Sequence, residues 1–184
     1  MGKRAKRIMF VDDDYYISIY ADYFAEIGYE IYNSRNVNNC LEFLSTRKQI
    51  DLFVIDIALP ISETNSNLEF KYKGNYIYSG LDLGRRIRER RPKTPILFFT
   101  GISHKERLDI IKNASVRIPL SMVILKHEYV LEEDLGSMIE KIIKDGFESI
   151  YEKSFLSKLK NAILFKPNFY GIGLDFEKLK KGKN

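Results

Sequence analysis

Three adjacent aspartates follow a short apolar run near the start of the chain, in the stretch IMFVDDDYY at residues 8–16. Asp12, Asp13 and Asp14 carry like charges at neighbouring positions, so crowding them is unfavourable unless a cation lies close by. Hard cations such as Mg²⁺ take oxygen ligands and are held by one or two protein carboxylates. The pattern therefore indicates a magnesium site beside these aspartates.

Three further polar residues each stand at the end of a separate apolar run. Asp56 follows DLFVI, Thr100 ends PILFFT and Lys126 ends SMVILK. A carboxylate beside a bound metal can act as the nucleophile that forms an aspartyl phosphate. A hydroxyl and an ammonium can hold the other oxygens of the phosphoryl group. These residue types predict phosphoryl chemistry, with Asp56 as the nucleophile.

Short apolar runs alternate with helical periodicity over most of the chain. The runs show no regular alternation of apolar and polar residues, so helices are expected to cover both faces of the sheet that the runs form. This order predicts an α/β fold with a doubly wound, five-stranded parallel sheet. The predicted strands are RIMFV, YEIYNS, DLFVIDI, PILFFT and SMVILK.

Ligands of such sheets bind beyond the carboxyl ends of the strands. Asp12, Asp56, Thr100 and Lys126 all stand at those ends, so the fold is expected to bring them to one edge. Asp14 lies nearer the following helix, where an acidic residue is favoured by the helix dipole.

Five stretches of the sequence resemble the receiver domain of two-component response regulators. They are VDDD at 11–14, VIDIALP at 54–60, GLDLGRRIR at 80–88, ILFFTG at 96–101 and VILKHE at 123–128. They occur in the family's order, and the resemblance covers residues 6–146. It implies the flavodoxin-like receiver fold.

The resemblance also implies a role for each matching residue. Asp12 and Asp13 are the acidic pair at the metal, and Asp56 is the phosphoacceptor and a further metal ligand. Ala58 supplies a metal-coordinating backbone carbonyl. Thr100 is the hydroxyl that follows the phosphoryl group, and Lys126 is the cation that pairs with it.

The sequence departs from the receiver pattern at three places. His127 follows the lysine where the family has proline, and Val123 stands where the family often has the aromatic switch residue. Between Pro60 and Gly80 lies a long insertion, in which two β-prone runs flank Gly74-Asn75. This predicts an inserted hairpin within residues 62–79 that turns at Gly74-Asn75.

Residues 147–184 are expected to form a C-terminal extension, first helical and then irregular. Apolar residues fall at helical spacing from Ile150 to Ile163, and Pro167 ends the pattern. The whole net charge of +5 lies in residues 149–184, with eight lysines against three acidic residues. This lysine excess raises the alternative of nucleic-acid binding.

Other features of the sequence favour a cytoplasmic protein. The single cysteine, Cys40, excludes an internal disulfide framework and fits a reducing compartment. No apolar run reaches the roughly 18 residues that span a bilayer. No membrane association is therefore expected.

The sequence favours a signalling module over an enzyme. The predicted function is a receiver that takes a phosphoryl group on Asp56 with Mg²⁺ from a sensor histidine kinase or a phosphotransfer protein. It would then signal to a downstream protein that the sequence does not name, and a homodimer is left open. The alternative is a small nucleic-acid-binding regulator that uses its basic tail, although no helix-turn-helix is visible. A degenerate receiver that is never phosphorylated is the third reading, against which the five site residues argue.

Overall fold

The computed structural model describes residues 4–14, 17–46, 48–59, 78–101, 118–126, 132–147 and 163–165. Within these ranges lie six strands: β1 Arg7–Val11, β2 Glu30–Ser34, β3 Leu52–Ile55, β4 Ile96–Thr100, β5 Ser121–Leu125 and β6 Ile163–Phe165. The described helices are α1 Ile17–Glu26, α2 Val37–Ser45, α3 Ser79–Arg90 and α4 Glu132–Asp145. None of these helices is long and apolar enough to cross a membrane.

The strands form one sheet in the order β2-β1-β3-β4-β5-β6. The first five strands run parallel, which confirms the predicted doubly wound sheet of the receiver type. The chain starts at β1, moves outward to β2, and then crosses to the other side for β3, β4 and β5. The sheet therefore has a topological switch point between β1 and β3, where ligands bind in folds of this kind.

Each face of the sheet has its own apolar core. On one face, Phe10 and Phe99 pack with α1 and α4, through residues such as Phe24 and Met138. On the other, Phe53 and Phe98 belong to a cluster with residues of α2 and α3. Two buried faces explain why the inner strands β1, β3 and β4 are nearly continuous apolar runs.

Local sequence signals set several helix ends. The Asn36 side chain accepts a hydrogen bond from the Asn39 N–H at 2.9 Å, which caps α2 as expected for asparagine at this position. Gly28 follows α1 and Gly146 follows α4, and both have positive φ, at 96° and 78°. Glycine adopts this left-handed conformation without steric cost, so the chain can turn directly after each helix.

The end of the predicted C-terminal helix, at residues 163–165, is a strand instead. They form β6, which pairs antiparallel with β5 at the edge of the sheet, with a register shift between Val123 and Ile124. The four apolar residues AILF fit a strand as well as a helix, and an unpaired sheet edge favours the strand because it supplies hydrogen-bonding partners. Phe147, the first residue of the predicted extension, is buried in the core beside α4.

The last residue of the predicted insertion, Ser79, is the first residue of α3. Tyr78 before it is buried. The predicted turn at Gly74-Asn75 lies outside the described residues, as do His127 and all of the C-terminal extension except Phe147 and β6.

Cys40 offers a direct check of this fold. Its side chain is fully buried on α2, and burial raises the pKa of its thiol to about 12. Because the thiolate is the reactive form, we expect no alkylation of the native protein at pH 8 and full alkylation in denaturant. Labelling followed by intact mass reports the result without ambiguity, since Cys40 is the only cysteine in the chain. Rapid labelling of the native protein would contradict the packing of α2.

Candidate functional site

The predicted site residues collect at the carboxyl edge of the parallel strands. Asp12, Asp56 and Lys126 each come directly after a strand, and Thr100 is the last residue of β4. Backbone hydrogen bonds continue the ladder into this edge. The N–H of Asp12 donates to Ser34, that of Asp56 to Val11, and that of Lys126 to Thr100, at 2.9, 2.9 and 2.8 Å. The site residues are thus fixed by the sheet itself.

Lys126 lies between two carboxylates that come from distant strands. Its ammonium nitrogen Nζ is 2.6 Å from Oδ2 of Asp12 and 2.9 Å from Oδ2 of Asp56. Asp12 and Asp56 are buried, and only 19% of the Lys126 side chain is exposed. The sequence analysis predicted that Asp12, Asp56 and Lys126 would lie at one edge of the sheet. It did not predict that the Lys126 ammonium would form ion pairs with both carboxylates.

The pKa values reflect this crowding. Burial raises the pKa of the Asp12 carboxyl to about 6; Lys126 acts against the shift, and Asp56 adds to it. Burial lowers the pKa of the Lys126 ammonium, but Asp56 and Asp12 raise it by more, so the net shift is upward. Lys126 therefore stays charged, and the site lacks enough positive charge to hold Asp12 fully ionised at mildly acidic pH.

Three carboxylates form a cluster of metal-binding size. Asp12, Asp13 and Asp56 each offer an oxygen, and these oxygens lie within 4.8 Å of one another. Asp13 is exposed, so it forms the solvent side of the cluster. Asp14 is not part of it: its N–H donates to Oδ1 of Asp12 at 2.9 Å, and its carbonyl accepts a bond from the first residue of α1. An all-oxygen set of this kind suits Mg²⁺.

Ala58 and Thr100 lie at the same edge of the sheet as the three carboxylates. The Ala58 N–H donates to Oδ1 of Asp56 at 3.1 Å, so the residue two positions along the chain orients the carboxylate. Thr100 is fully buried at the end of β4. Val123 is also fully buried and pairs in register with Phe98, so it belongs to the core of the sheet. The functional roles of these residues stay predictions.

Sequence reasoning missed one part of the site, the contact between the start of α3 and the turn after Asp56. The Gly80 N–H donates to the carbonyl of Ile57 at 3.1 Å, and Gly80 lies against the backbone of Asp56. A side chain at position 80 would place its Cβ 1.9 Å from the carbonyl oxygen of Asp56. The glycine that opens GLDLGRRIR was visible as a motif, but only the structure shows what it touches.

Three of the four arginines of α3 are engaged within the protein. Arg85 and Arg86 pair with the fully buried Asp82 at 3.2 and 2.7 Å. Arg88 donates to three backbone carbonyls, those of Arg91, Pro92 and Leu120. Arg85, Arg86 and Arg88 are therefore not free to form a cationic binding surface, whereas Arg90 at the end of the helix is exposed. The lysine-rich tail, on which the nucleic-acid reading depends, lies outside the described residues.

Comparison with solved structures finds receiver domains. A CheY-like response regulator receiver domain from Methanospirillum hungatei JF-1 matches with a TM-score of 0.58 and 21% identity, over 79% of this chain and 98% of that one. The chemotaxis response regulator CheY4 of Vibrio cholerae matches with a TM-score of 0.54 and 16% identity, over 76% and 99%.

A third matching structure is described as a complex with a ligand. It is the response regulator TrrA from Thermotoga maritima, solved in complex with Mg²⁺-BeF, with a TM-score of 0.52, 25% identity, and coverage of 74% of this chain and 98% of that one. No protein-family model matches the sequence, and no curated protein matches it. The described part of the chain therefore has the receiver fold, and the likeness is one of structure.

Proposed function

We propose that this chain, whose fold is that of response regulator receiver domains, accepts a phosphoryl group on Asp56 in two-component signalling. The observation that carries the proposal is the grouping of Asp12, Asp13 and Asp56 within 4.8 Å, with Lys126 on two of the three carboxylates. A receiver fold alone would not favour phosphorylation, but this constellation at its switch point does.

The expected reaction transfers a phosphoryl group from a donor to a carboxylate oxygen of Asp56. With a phosphohistidine donor, the new oxygen–phosphorus bond forms as the phosphorus–nitrogen bond breaks, and the electron pair leaves with the imidazole ring. The Ala58 N–H at 3.1 Å holds Oδ1 of Asp56 in a fixed direction. Lys126, 2.9 Å from Oδ2, is close enough to pair with a phosphoryl oxygen.

Mg²⁺ fits the donor set of the site. Asp12, Asp13 and Asp56 would hold it through carboxylate oxygens, with the Ala58 carbonyl as the ligand that the resemblance adds. The bound ion would supply positive charge to the phosphoryl oxygens. The raised pKa of Asp12 supports this assignment, because it shows that Lys126 alone does not offset the burial of the carboxylate.

The chain would act as a signalling module and not as an enzyme. Its donor would be a sensor histidine kinase or a phosphotransfer protein, as for receivers in general, and its output would be contact with a downstream protein in the cytoplasm. The proposal is tested by incubating the protein with a small-molecule phosphodonor and Mg²⁺, followed by intact mass. A Mg²⁺-dependent gain of one phosphoryl group supports it. Unchanged mass, under conditions that label an ordinary receiver, would favour the degenerate reading.

The metal site makes a prediction of its own. Replacing Asp13 by alanine should weaken Mg²⁺ binding by about tenfold or more, since it removes one of the three clustered carboxylates. Asp14→Ala is the matched control, because Asp14 is adjacent and also exposed but lies outside the cluster. A Mg²⁺ titration followed by tyrosine fluorescence measures both variants. Equal losses of affinity would show that the acidic pair is wrongly assigned.

A further inference from the structure

The first two residues of α3 donate hydrogen bonds to the turn that follows Asp56. The Ser79 hydroxyl donates to the carbonyl of Leu59 at 2.6 Å, and the Gly80 N–H donates to the carbonyl of Ile57 at 3.1 Å. Ser79 and Gly80 are buried. The two bonds fix the carbonyls on either side of Ala58, the residue whose N–H orients Asp56.

Close backbone contact strengthens this hold. Gly80 lies so near the carbonyl of Asp56 that a Cβ there would be 1.9 Å from the oxygen and 2.8 Å from the Ile57 Cα. No side chain can fit at position 80 unless the backbone moves, because its Cβ would overlap the backbone of Asp56 and Ile57. The start of α3 therefore packs directly against the turn at 56–59.

We propose that Ser79 is a positioning residue for the phosphoryl and metal site, acting through the Ala58 peptide. The Gly80 bond fixes the Ile57 carbonyl, which shares a peptide with the Ala58 N–H, and the Ser79 bond fixes the carbonyl of Leu59, one peptide beyond that of the Ala58 carbonyl. The peptide that carries the Ala58 carbonyl therefore lies between two anchored peptides, while the Ala58 N–H donates to Asp56, and the carbonyl would be held for the metal that the proposed function requires. The inference rests on the proposed function, because it assigns Ser79 a part in the same site.

Hydrogen bonds behind a metal ligand commonly change metal affinity by about 10- to 100-fold when they are removed. Ser79→Ala should accordingly weaken Mg²⁺ binding by about tenfold, the low end of that range, because the Gly80 bond to Ile57 remains. The Ala58 amide proton should also exchange faster with solvent in the metal-free variant, since its hydrogen bond to Asp56 becomes less well aligned.

Ser121→Ala is the matched control. The Ser121 hydroxyl is also buried and also donates to a backbone carbonyl, that of Ile118, at 2.7 Å. Ser121 is the first residue of β5, whereas Lys126 directly follows the last residue of the same strand, so the two lie at opposite ends of β5. Both alanine variants should lose stability to a similar degree, whereas Ser79→Ala alone should change Mg²⁺ affinity and Ala58 exchange. Equal Mg²⁺ affinity in the two variants would overturn the inference.

A second pair of variants keeps the test decisive if Ser79→Ala folds poorly. Ser79→Thr and Ser79→Val have nearly the same shape, but only threonine can donate to Leu59. The threonine variant should bind Mg²⁺ more tightly than the valine variant, and equal binding would overturn the inference. Absence of Mg²⁺ binding and phosphorylation in the unmodified protein would refute the proposed function, while Ala58 exchange in the metal-free variants would still decide whether Ser79 orients the turn.

Discussion

The Asp56→Asn variant is expected to gain no phosphoryl group under conditions in which the unmodified protein is labelled. Asparagine has nearly the size of aspartate, but its amide is not a nucleophile toward phosphorus. The loss should therefore be complete and not partial. Intact mass after incubation with a small-molecule phosphodonor and Mg²⁺ measures it directly.

Asp51→Asn provides the matched control for this experiment. The side chains of Asp51 and Asp56 are both 10% exposed and both pair with a cation, but Asp51 precedes β3 and contacts Arg4. We expect Asp51→Asn to retain labelling, because it lies at the far end of the same strand. Labelling that persists in Asp56→Asn would place the phosphoacceptor on another residue.

Replacing Lys126 by methionine should have two opposite effects. Without Mg²⁺ the variant should lose about 3 kcal/mol of unfolding free energy, because removing one partner leaves buried carboxylates uncompensated. This lies at the low end of the usual range for a broken buried pair, since 19% of the Lys126 side chain is exposed. Urea unfolding of the metal-free protein measures the change.

The same variant should bind Mg²⁺ more tightly, by a factor on the order of ten. In the unmodified protein the Lys126 ammonium lies 2.6 and 2.9 Å from two of the carboxylates that would hold the ion. It therefore repels the metal ion and competes with it for these carboxylates. Phosphoryl uptake should nevertheless fall, because no side-chain cation then pairs with the phosphoryl oxygens. Weaker Mg²⁺ binding in Lys126→Met would contradict the proposed arrangement.

Lys6→Met serves as the control for stability. Lys6 also faces an aspartate, Asp51, but at 3.5 Å and with 51% of its side chain exposed. Exposed pairs of this kind contribute between about 0 and 1 kcal/mol. A loss in Lys6→Met as large as in Lys126→Met would show that the effect does not come from the buried position of the site.

The parallel sheet could be read from the sequence because its inner strands β1, β3 and β4 are buried on both faces. RIMFV, LFVI and ILFFT are continuous apolar runs, and their polar last or following residues mark where the strands end. Parallel strands share a carboxyl edge, so Asp56 and Lys126 could be placed together although 70 residues separate them. Topology alone is enough for this part of the site.

Contacts that depend on the detailed path of the backbone could not be read in this way. Ser79 was assigned to the insertion, because no local pattern shows that its hydroxyl reaches Leu59, 20 residues earlier. Residues 163–165 were assigned to a helix, because their short apolar run fits either period and pairing with a distant strand decides between them. Both errors concern long-range hydrogen bonds that the sequence does not encode by spacing.

The antiparallel β6 has a consequence for the order in which the chain is made. Leu125 ends β5 and Phe165 ends β6, so 40 more residues (165 − 125) must be translated before β6 is complete. At roughly 5–20 residues per second, the ribosome needs about 2 to 8 s for this stretch. During that interval the nascent sheet has β5 as an open edge, with backbone groups ready to pair with any other extended chain. The edge of β5 is therefore covered by β6 only several seconds after β5 itself has been translated.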